Sequence, residues 1–345
     1  MAGGSRRRVR IGAALAAATV ASAVAERRHL RRIAADPLRA VLEHPPVGRP
    51  LRARSADATK IHAEIFGRDG LPTLVLAHGW TERLRFWTLV INELPDFRIV
   101  AYDLRGHGRS SPAATGDYSL ERFGEDLEAV LVVPEGERAI VAGHSLGAMS
   151  IAAWAAGHDV SRVRAAALLF TGLGDLVANQ LLVAVSRLSR RLRDPVARRM
   201  FFGARFPLPR FSSPLSYASA RYIAFGPAAT PAQIAFFERM LANCVPRVRA
   251  AVGLALTEME LHDALPRLRV PTLVMDGADD RLTPPAHGRR IAAELPALYR
   301  LIELPDTGHM GPLERPAAVA DALRELAQAT EATLETTAPA ANRPA

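Results

Sequence analysis

Five consecutive residues of this 345-residue chain, Gly143-His-Ser-Leu-Gly147, restrict its fold more than any others. Before them Arg138-Ala-Ile-Val-Ala142 reads as a short apolar strand, and after them Ala148 to Ala156 is Ala-rich and helix-prone. A strand that passes into a helix across Gly-x-Ser-x-Gly predicts a strained turn exposing a serine Oγ at the carboxyl edge of a parallel sheet. The glycines answer a steric need, because a side chain at Gly143 or Gly147 would collide where strand and helix pack around the turn. Ser145 is therefore the candidate nucleophile, supported by Gly143, His144 and Gly147. The bland alternative is a serine in a purely structural strand-to-helix turn.

A serine hydroxyl is a poor nucleophile unless a positioned base takes its proton and a third group orients that base. For such a turn the partners follow in the order Ser, acid, His. Val270-Pro-Thr-Leu-Val-Met275 reads as a strand and is followed by Asp276-Gly-Ala-Asp-Asp280. Tyr299-Arg-Leu-Ile-Glu303 reads as a last strand, with Asp306-Thr-Gly-His309-Met310 as the loop after it. Ser145, Asp280 and His309 would then converge on one edge of the sheet. Asp280 has rivals. Asp276 is still on the strand, Asp279 could hold the turn through backbone N–H groups, and Asp175 in Thr171-Gly-Leu-Gly-Asp175 is the alternative acid. His158, His262 and His287 also follow Ser145, but only His309 sits between Gly308 and Met310 in a loop after a strand. Two backbone donors should face the oxyanion. One is the N–H of Leu146. The other is the N–H of Trp80 in His78-Gly79-Trp80, where Gly79 lets the loop after Leu71 to Ala77 turn sharply.

On these stretches the chain resembles the α/β-hydrolase superfamily, in its branch with a helical lid. The matching residues are His78-Gly-Trp80, Asp103-Leu-Arg-Gly-His-Gly-Arg-Ser110, Gly143-His-Ser-Leu-Gly147, Gly277-Ala-Asp-Asp280 and Gly308-His309, in that order. The resemblance implies a mostly parallel eight-stranded sheet flanked by helices, with a helical lid inserted after strand 6. It also implies a catalytic Ser145, Asp280 and His309, an oxyanion hole at Trp80 and Leu146, and a structural Asp103–Ser110 loop whose Arg105 and His107 are not catalytic. Ala148 departs from the pattern, since many relatives carry a second glycine there.

The net charge of +9 does not point to nucleic acid, because of where it lies. Residues 1–32 carry +7 and residues 176–269 carry +9, which leaves −7 on the remainder. Lys60 is the one lysine and Cys244 the one cysteine, so no intramolecular disulfide is possible. There is no Cys/His metal spacing, phosphate loop or dinucleotide fingerprint, so neither metal nor cofactor is expected.

Along the chain, residues 1–32 read as a basic, Ala-rich leader. Ile11 to Ala25 is an apolar run ending Ala23-Val-Ala25, a signal-peptidase pattern too short for a confident span, and Ser5-Arg6-Arg7 has a twin-arginine look. The basic Glu26-to-Arg32 stretch that follows favours instead a cytoplasmic amphipathic helix. Membrane association or export is the expectation, a cytoplasmic location the alternative. Residues 33–50 read as a linker, 51–175 and 270–328 as the catalytic core, 176–269 as the lid and 329–345 as a disordered tail. Within the lid, Ser186 to Arg193 and Val196 to Phe202 mix arginine with apolar side chains, as a solvated basic face or an anionic-membrane surface would. The expected function is hydrolysis of an apolar small-molecule carboxylic ester through an acyl-enzyme. A perhydrolase or haloperoxidase-like activity, C–C bond or thioester hydrolysis on the same residues, and a non-catalytic binding scaffold are the alternatives.

Overall fold

The computed structural model describes residues 23–131, 137–175 and 203–337. A sheet of eight strands runs in the order β1-β2-β4-β3-β5-β6-β7-β8. The strands are β1 (Arg49–Arg54), β2 (Lys60–Phe66), β3 (Thr73–Ala77), β4 (Arg98–Tyr102), β5 (Ala139–His144), β6 (Val163–Leu169), β7 (Thr272–Gly277) and β8 (Leu298–Leu304). Only the β1–β2 and β2–β4 pairings are antiparallel. From β4 to β8 every pairing is parallel, so the carboxyl ends of β3, β5, β6, β7 and β8 share one edge.

Strands β3, β4 and β5 are buried at every position, as unbroken apolar runs covered on both faces should be. Alternate residues feed two cores. Val75, Val100, Val141 and Val274 face helices α4 (Leu120–Val130) and α5 (Leu146–Gly157). Leu74, Ile99, Ile140 and Leu273 face α3 (Thr88–Glu93) and the long carboxyl-terminal helix.

Two segments differ from expectation. The stretch read as a linker holds helix α2 (Leu38–Glu43), whose Leu42 is buried in the second core. Its prolines bracket the helix rather than abolish it: Pro37 is the N-cap, and Pro45 and Pro46 follow the end. Ahead of it residues 23–34 are helical (α1), and Asp36 accepts the Ala232 N–H at 2.8 Å, which ties this segment to the lid. The tail expected to be disordered from residue 329 is instead helical as far as Thr337. Val319, Leu323, Leu326 and Thr330 are buried along one stripe of that helix, a spacing that Ala/Thr composition conceals. No helix among the described residues is long and apolar enough to cross a membrane.

The helical insertion follows β6. Its described part carries α6 (Pro214–Ala224), α7 (Pro231–Asn243) and α8 (Pro246–Glu258). Three of the prolines that interrupt this stretch, Pro214, Pro231 and Pro246, are helix starts. Ser213 and Thr230 cap α6 and α7 through capping boxes with Ser216 and Gln233, and Pro stands at the first turn of all three helices. After β7 come α9 (Ala286–Glu294), α10 (Gly311–Glu314) and α11 (Pro316–Thr337). The arginine-rich stretches Ser186 to Arg193 and Val196 to Phe202 lie outside the described residues.

Candidate active site

Ser145 closes β5 and opens α5 with φ 50° and ψ −116°, a conformation costly for a residue with a Cβ. The turn is held from several sides. Ser145 N–H donates to Leu169 O at 2.9 Å, and Thr171 Oγ1 donates to Ser145 O at 3.0 Å. A Cβ on Gly147 would stand 2.1 Å from Ala77 O, and one on Gly143 would stand 2.3 Å from Gly147 C. Both glycines are therefore forced by β3 and α5, as the sequence predicts. Ala148 packs fully buried in the core and leaves the turn intact.

His309 follows β8, and both its side chain and its backbone are engaged. Its Nδ1 lies 2.8 Å from Asp280 Oδ2. The Asp280 carboxylate is itself anchored: Oδ1 accepts the N–H groups of Leu282 and Thr283 at 2.8 and 2.9 Å, and Oδ2 accepts the Thr283 hydroxyl at 2.8 Å. One residue thus holds the turn and faces the imidazole, work the sequence reading divided between Asp279 and Asp280. The other acid, Asp175, lies apart. Its side chain is 63% exposed and stands 3.6 Å from Arg290. Two of the remaining histidines are occupied elsewhere, His158 with Trp154 O and His262 with Glu294. His287 sits in α9.

Ser145 and His309 line one cavity of about 460 Å³ under the lid. Its walls are mainly apolar, with Met149, Phe206, Ile223, Phe237, Leu241 and Met310 among them. Trp80 also lines it, and its indole N–H donates to Arg249 O on α8 at 3.1 Å. The loop carrying Trp80 is fixed on both sides: Gly79 N–H donates to Glu82 Oε2 at 2.6 Å and Thr81 N–H donates to His107 Nε2 at 3.2 Å. Leu146 starts α5, where the first amides have no intrahelical acceptor.

The buried histidines of this edge divide by their partners. His78 donates from Nδ1 to Gly79 O at 2.8 Å and accepts Leu104 N–H on Nε2 at 3.0 Å. His107 donates to Arg105 O and accepts from Thr81. Each is thereby fixed as one neutral tautomer. Burial agrees, pushing the His78 pKa well below its usual value and that of His107 down to about 4. The Asp103–Ser110 loop is structural, as the resemblance implied. Arg105 is buried between Asp57 and Asp126, while Asp103 accepts the N–H groups of Leu84 and Arg109.

The sequence reading missed three residues of this site. Thr283 lies 3.1 Å from His309 Nδ1, one residue beyond Leu282, whose N–H closes an Asx turn on Asp280. Glu82 reaches back three residues to Gly79 N–H, the spacing of a capping box, which was a readable signal. Glu314 accepts N–H from Gly226 in the lid and Gly308 beside His309. Burial outweighs those bonds and raises its pKa to about 7. Among the described residues no group of three or more His, Cys, Asp or Glu side chains is placed to hold a metal ion.

Comparison with known proteins agrees with this architecture. The sequence profile of the family described as alpha/beta hydrolase fold matches residues 72–316. A non-heme chloroperoxidase from Streptomyces lividans is 28% identical over 249 residues, 70% of this chain and 86% of that protein. A bifunctional esterase/perhydrolase from Acinetobacter calcoaceticus is 24% identical over 270 residues, 73% of this chain and 91% of that protein. Among solved structures, a thermophilic esterase from Thermogutta terrifontis superposes with a TM-score of 0.63 at 24% identity, covering 81% of this chain and 98% of that one. With the profile spanning well over half its length, the chain belongs to the α/β-hydrolase fold family.

Proposed function

We propose that the chain is a serine hydrolase of apolar carboxylic esters, with Ser145 as nucleophile, His309 as base and Asp280 as its orienting acid. The observation that carries this reading is the strained Ser145 sharing a cavity with a His309 whose Nδ1 faces an anchored carboxylate. Ser145 Oγ attacks the ester carbonyl carbon while His309 Nε2 takes its proton. Asp280 holds the Nδ1–H tautomer and offsets the positive charge that forms on the ring. The amides of Trp80 and Leu146 face the developing oxyanion. His309 returns the proton to the leaving alkoxide, and water, deprotonated by the same ring, releases the acid. Gly79, His78, His144, Gly143 and Gly147 support the loop and the turn.

The apolar walls support an apolar acyl or alcohol group, and the cavity volume falls within the range that takes a drug-sized ligand. A fluorophosphonate that reacts with activated serines, followed by esters of rising acyl length, tests the proposal. It predicts labelling of Ser145 and a preference for medium over acetyl chains, and an unlabelled, inactive protein overturns it. The relative with both esterase and perhydrolase in its name favours a second reading, in which peroxide instead of water accepts the acyl group. Halide oxidation that consumes peroxide and requires an added carboxylate, which becomes the peracid and is regenerated when the peracid oxidises the halide, separates the two.

The outer lid supports a membrane-associated setting. Phe206, Phe211, Leu215 and Tyr222 are exposed there, with Arg205 and Arg210 beside the first two. Exposed apolar and basic side chains suit an anionic lipid interface, and two of these, Phe206 and Phe211, also line the cavity.

A further inference from the structure

Directly beneath the nucleophile lies a buried histidine–glutamate contact that the proposed reaction does not use. His144, the residue before Ser145, is completely buried, and Glu82 is 2% exposed. His144 Nδ1 lies 3.1 Å from Glu82 Oε1 and 3.2 Å from Oε2. On the other side of the ring, Nε2 lies 2.8 Å from the backbone carbonyl oxygen of His309. Carboxylate and carbonyl oxygens are both acceptors, and a neutral imidazole has a single N–H to offer two of them. With Glu82 ionised, the ring satisfies both only as an imidazolium. This is the reverse of His78 and His107, each of which has one nitrogen facing a backbone N–H donor.

The pair reaches both halves of the site. Glu82 Oε2 accepts the Gly79 N–H at 2.6 Å, so it holds the loop that carries Trp80. His144 holds the His309 backbone at its carbonyl, opposite the N–H that donates to Ala224 O in the lid at 2.9 Å. Gly79 is glycine because of this pair: a Cβ there would stand 2.8 Å from His144 Nδ1 and 3.0 Å from Glu82 Oε2. We infer that Glu82 and His144 form a buried carboxylate–imidazolium pair that positions the His309 backbone and the Gly79–Trp80 loop against Ser145.

The charges cancel within the pair, so it adds little net charge beside His309, whose ring centroid is 4.9 Å from that of His144. The groups facing His144 are Glu82 from the loop after β3, His309 from the loop after β8, Asp280 from the loop after β7, neutral His78, and the rings of Phe86 and Phe170. Burial disfavours the His144 cation, but Glu82 and the His309 carbonyl outweigh it and raise its pKa above the usual histidine value.

The inference rests on the proposed roles of Ser145 and His309, so its test has one arm that does not. In ¹⁵N-histidine NMR of the full chain, both ring nitrogens of His144 should stay protonated across the range in which exposed histidines titrate. Glu82→Gln should convert the ring to a neutral form with a single N–H. A neutral His144 in the wild type at neutral pH overturns the pair, whatever the enzyme does. The kinetic arm uses two isosteres. Gln at 144 reaches the Nε2 position and can still donate to His309 O, whereas Asn reaches only the Nδ1 position and keeps contact with Glu82. His144→Asn should lose about 10²-fold in kcat at unchanged KM, as an ångström-scale misplacement of a reacting group does, and His144→Gln only a few-fold. Equal losses in the two variants, or losses in KM instead, overturn the positioning role. If His144→Asn does not fold, Glu82→Gln and Glu82→Leu replace it: the amide can still bridge Gly79 and His144, so it should retain far more kcat than the leucine. A wild type that hydrolyses no ester defeats the proposed function and leaves the NMR result to decide the pair.

Discussion

The carboxyl edge of the sheet and the lid above it are built in different ways. At the edge, backbone strain and buried polar groups accumulate. Thr81, Ser145, Phe170 and Asp306, all with positive φ, follow β3, β5, β6 and β8 in turn. Three of them are held by their backbone N–H: Thr81 by His107 Nε2, Ser145 by Leu169 O and Phe170 by Met275 O at 2.6 Å. In the described part of the lid, residues 203–269, no non-glycine residue has positive φ. Its helices are ordinary capped helices that place apolar side chains over the cavity, tied down at a few points such as Gln233 Nε2 to Leu313 O. Strain persists only where the surroundings over-determine it, and it gathers where geometry matters to chemistry. The lid needs shape and greasiness, which tolerate change. Reaction type should therefore depend on single atoms at the edge, and substrate choice on volumes in the lid.

The strongest way to break this division is at the edge itself. Ser145→Ala should lower kcat for ester hydrolysis by about 10⁴-fold or more, by analogy with other triad deletions, at near-unchanged thermal stability. Steady-state kinetics beside a melting curve decides it, and substantial residual turnover would remove Ser145 from the mechanism. Asp280→Asn should cost about 10⁴-fold as well, because the amide favours the wrong His309 tautomer. Asp175→Asn, at an exposed site facing Arg290, should change little. If the two results are exchanged, the acid has been misassigned.

A lid change should behave differently. Ile223 lines the cavity from α6, and Ile223→Trp fills part of it. The expected outcome is a loss of about tenfold to a hundredfold in kcat/KM for long-chain esters, with acetyl esters spared, since each excluded methylene carries about 1 kcal/mol. A uniform loss across chain lengths would show that the lid is coupled to the chemistry after all.

How much of this was legible in the sequence follows the same line. The glycines of the elbow were readable because their constraint is steric and close in sequence, a Cβ that would strike backbone, and His309 was a candidate because it stands just past a strand; Gly79 was noticed as a turn residue, but what crowds it are the side chains of His144 and Glu82. The Glu82–His144 contact spans 62 residues and the Gln233–Leu313 contact 80, and neither leaves a periodic trace. Composition misled at the carboxyl terminus, where an Ala/Thr-rich stretch conceals a buried stripe on α11. Proline counting misled at residues 33–50, where the prolines bracket α2.

A smaller effect probes the edge through pH. Asp276 ends β7 fully buried, with no hydrogen-bond partner on either carboxylate oxygen. Burial, and then the nearby Asp280, raise its pKa from 3.8 to about 8. The folded chain therefore holds a proton that the unfolded chain releases above 3.8, so stability falls as pH rises toward about 8. The slope is at most about 1.4 kcal/mol per pH unit. Asp276→Asn cannot titrate and should flatten that part of the stability–pH curve. An unchanged slope in denaturant titrations from mildly acidic to mildly alkaline pH would assign the dependence to another group.

The weakest expected effect concerns the exposed apolar side chains of the lid. Phe206, Phe211, Leu215 and Tyr222 are 60%, 68%, 78% and 54% exposed, so a lipid surface could bury apolar area that folding left in water. Arginines nearby add a second attraction of about 1 kcal/mol each at an anionic surface, screened beyond about 10 Å at 0.1 M salt. The two components predict different responses. The full chain should bind vesicles containing an anionic lipid better than neutral ones and lose the difference as salt rises, while a salt-resistant remainder persists. Leu215→Ser should weaken that remainder and leave the salt dependence alone. It should also leave kcat on a soluble short-chain ester unchanged, because Leu215 is exposed and does not line the cavity that holds Ser145. The full chain is the right one to use, because His29 lies 2.8 Å from Ser212, so trimming the residues ahead of α2 would disturb the lid under test. Equal and salt-independent binding to both vesicle types, or none to either, would make this surface a solvated cover over the cavity, and the contrast with the strained edge would then rest on the substrate-length profile alone.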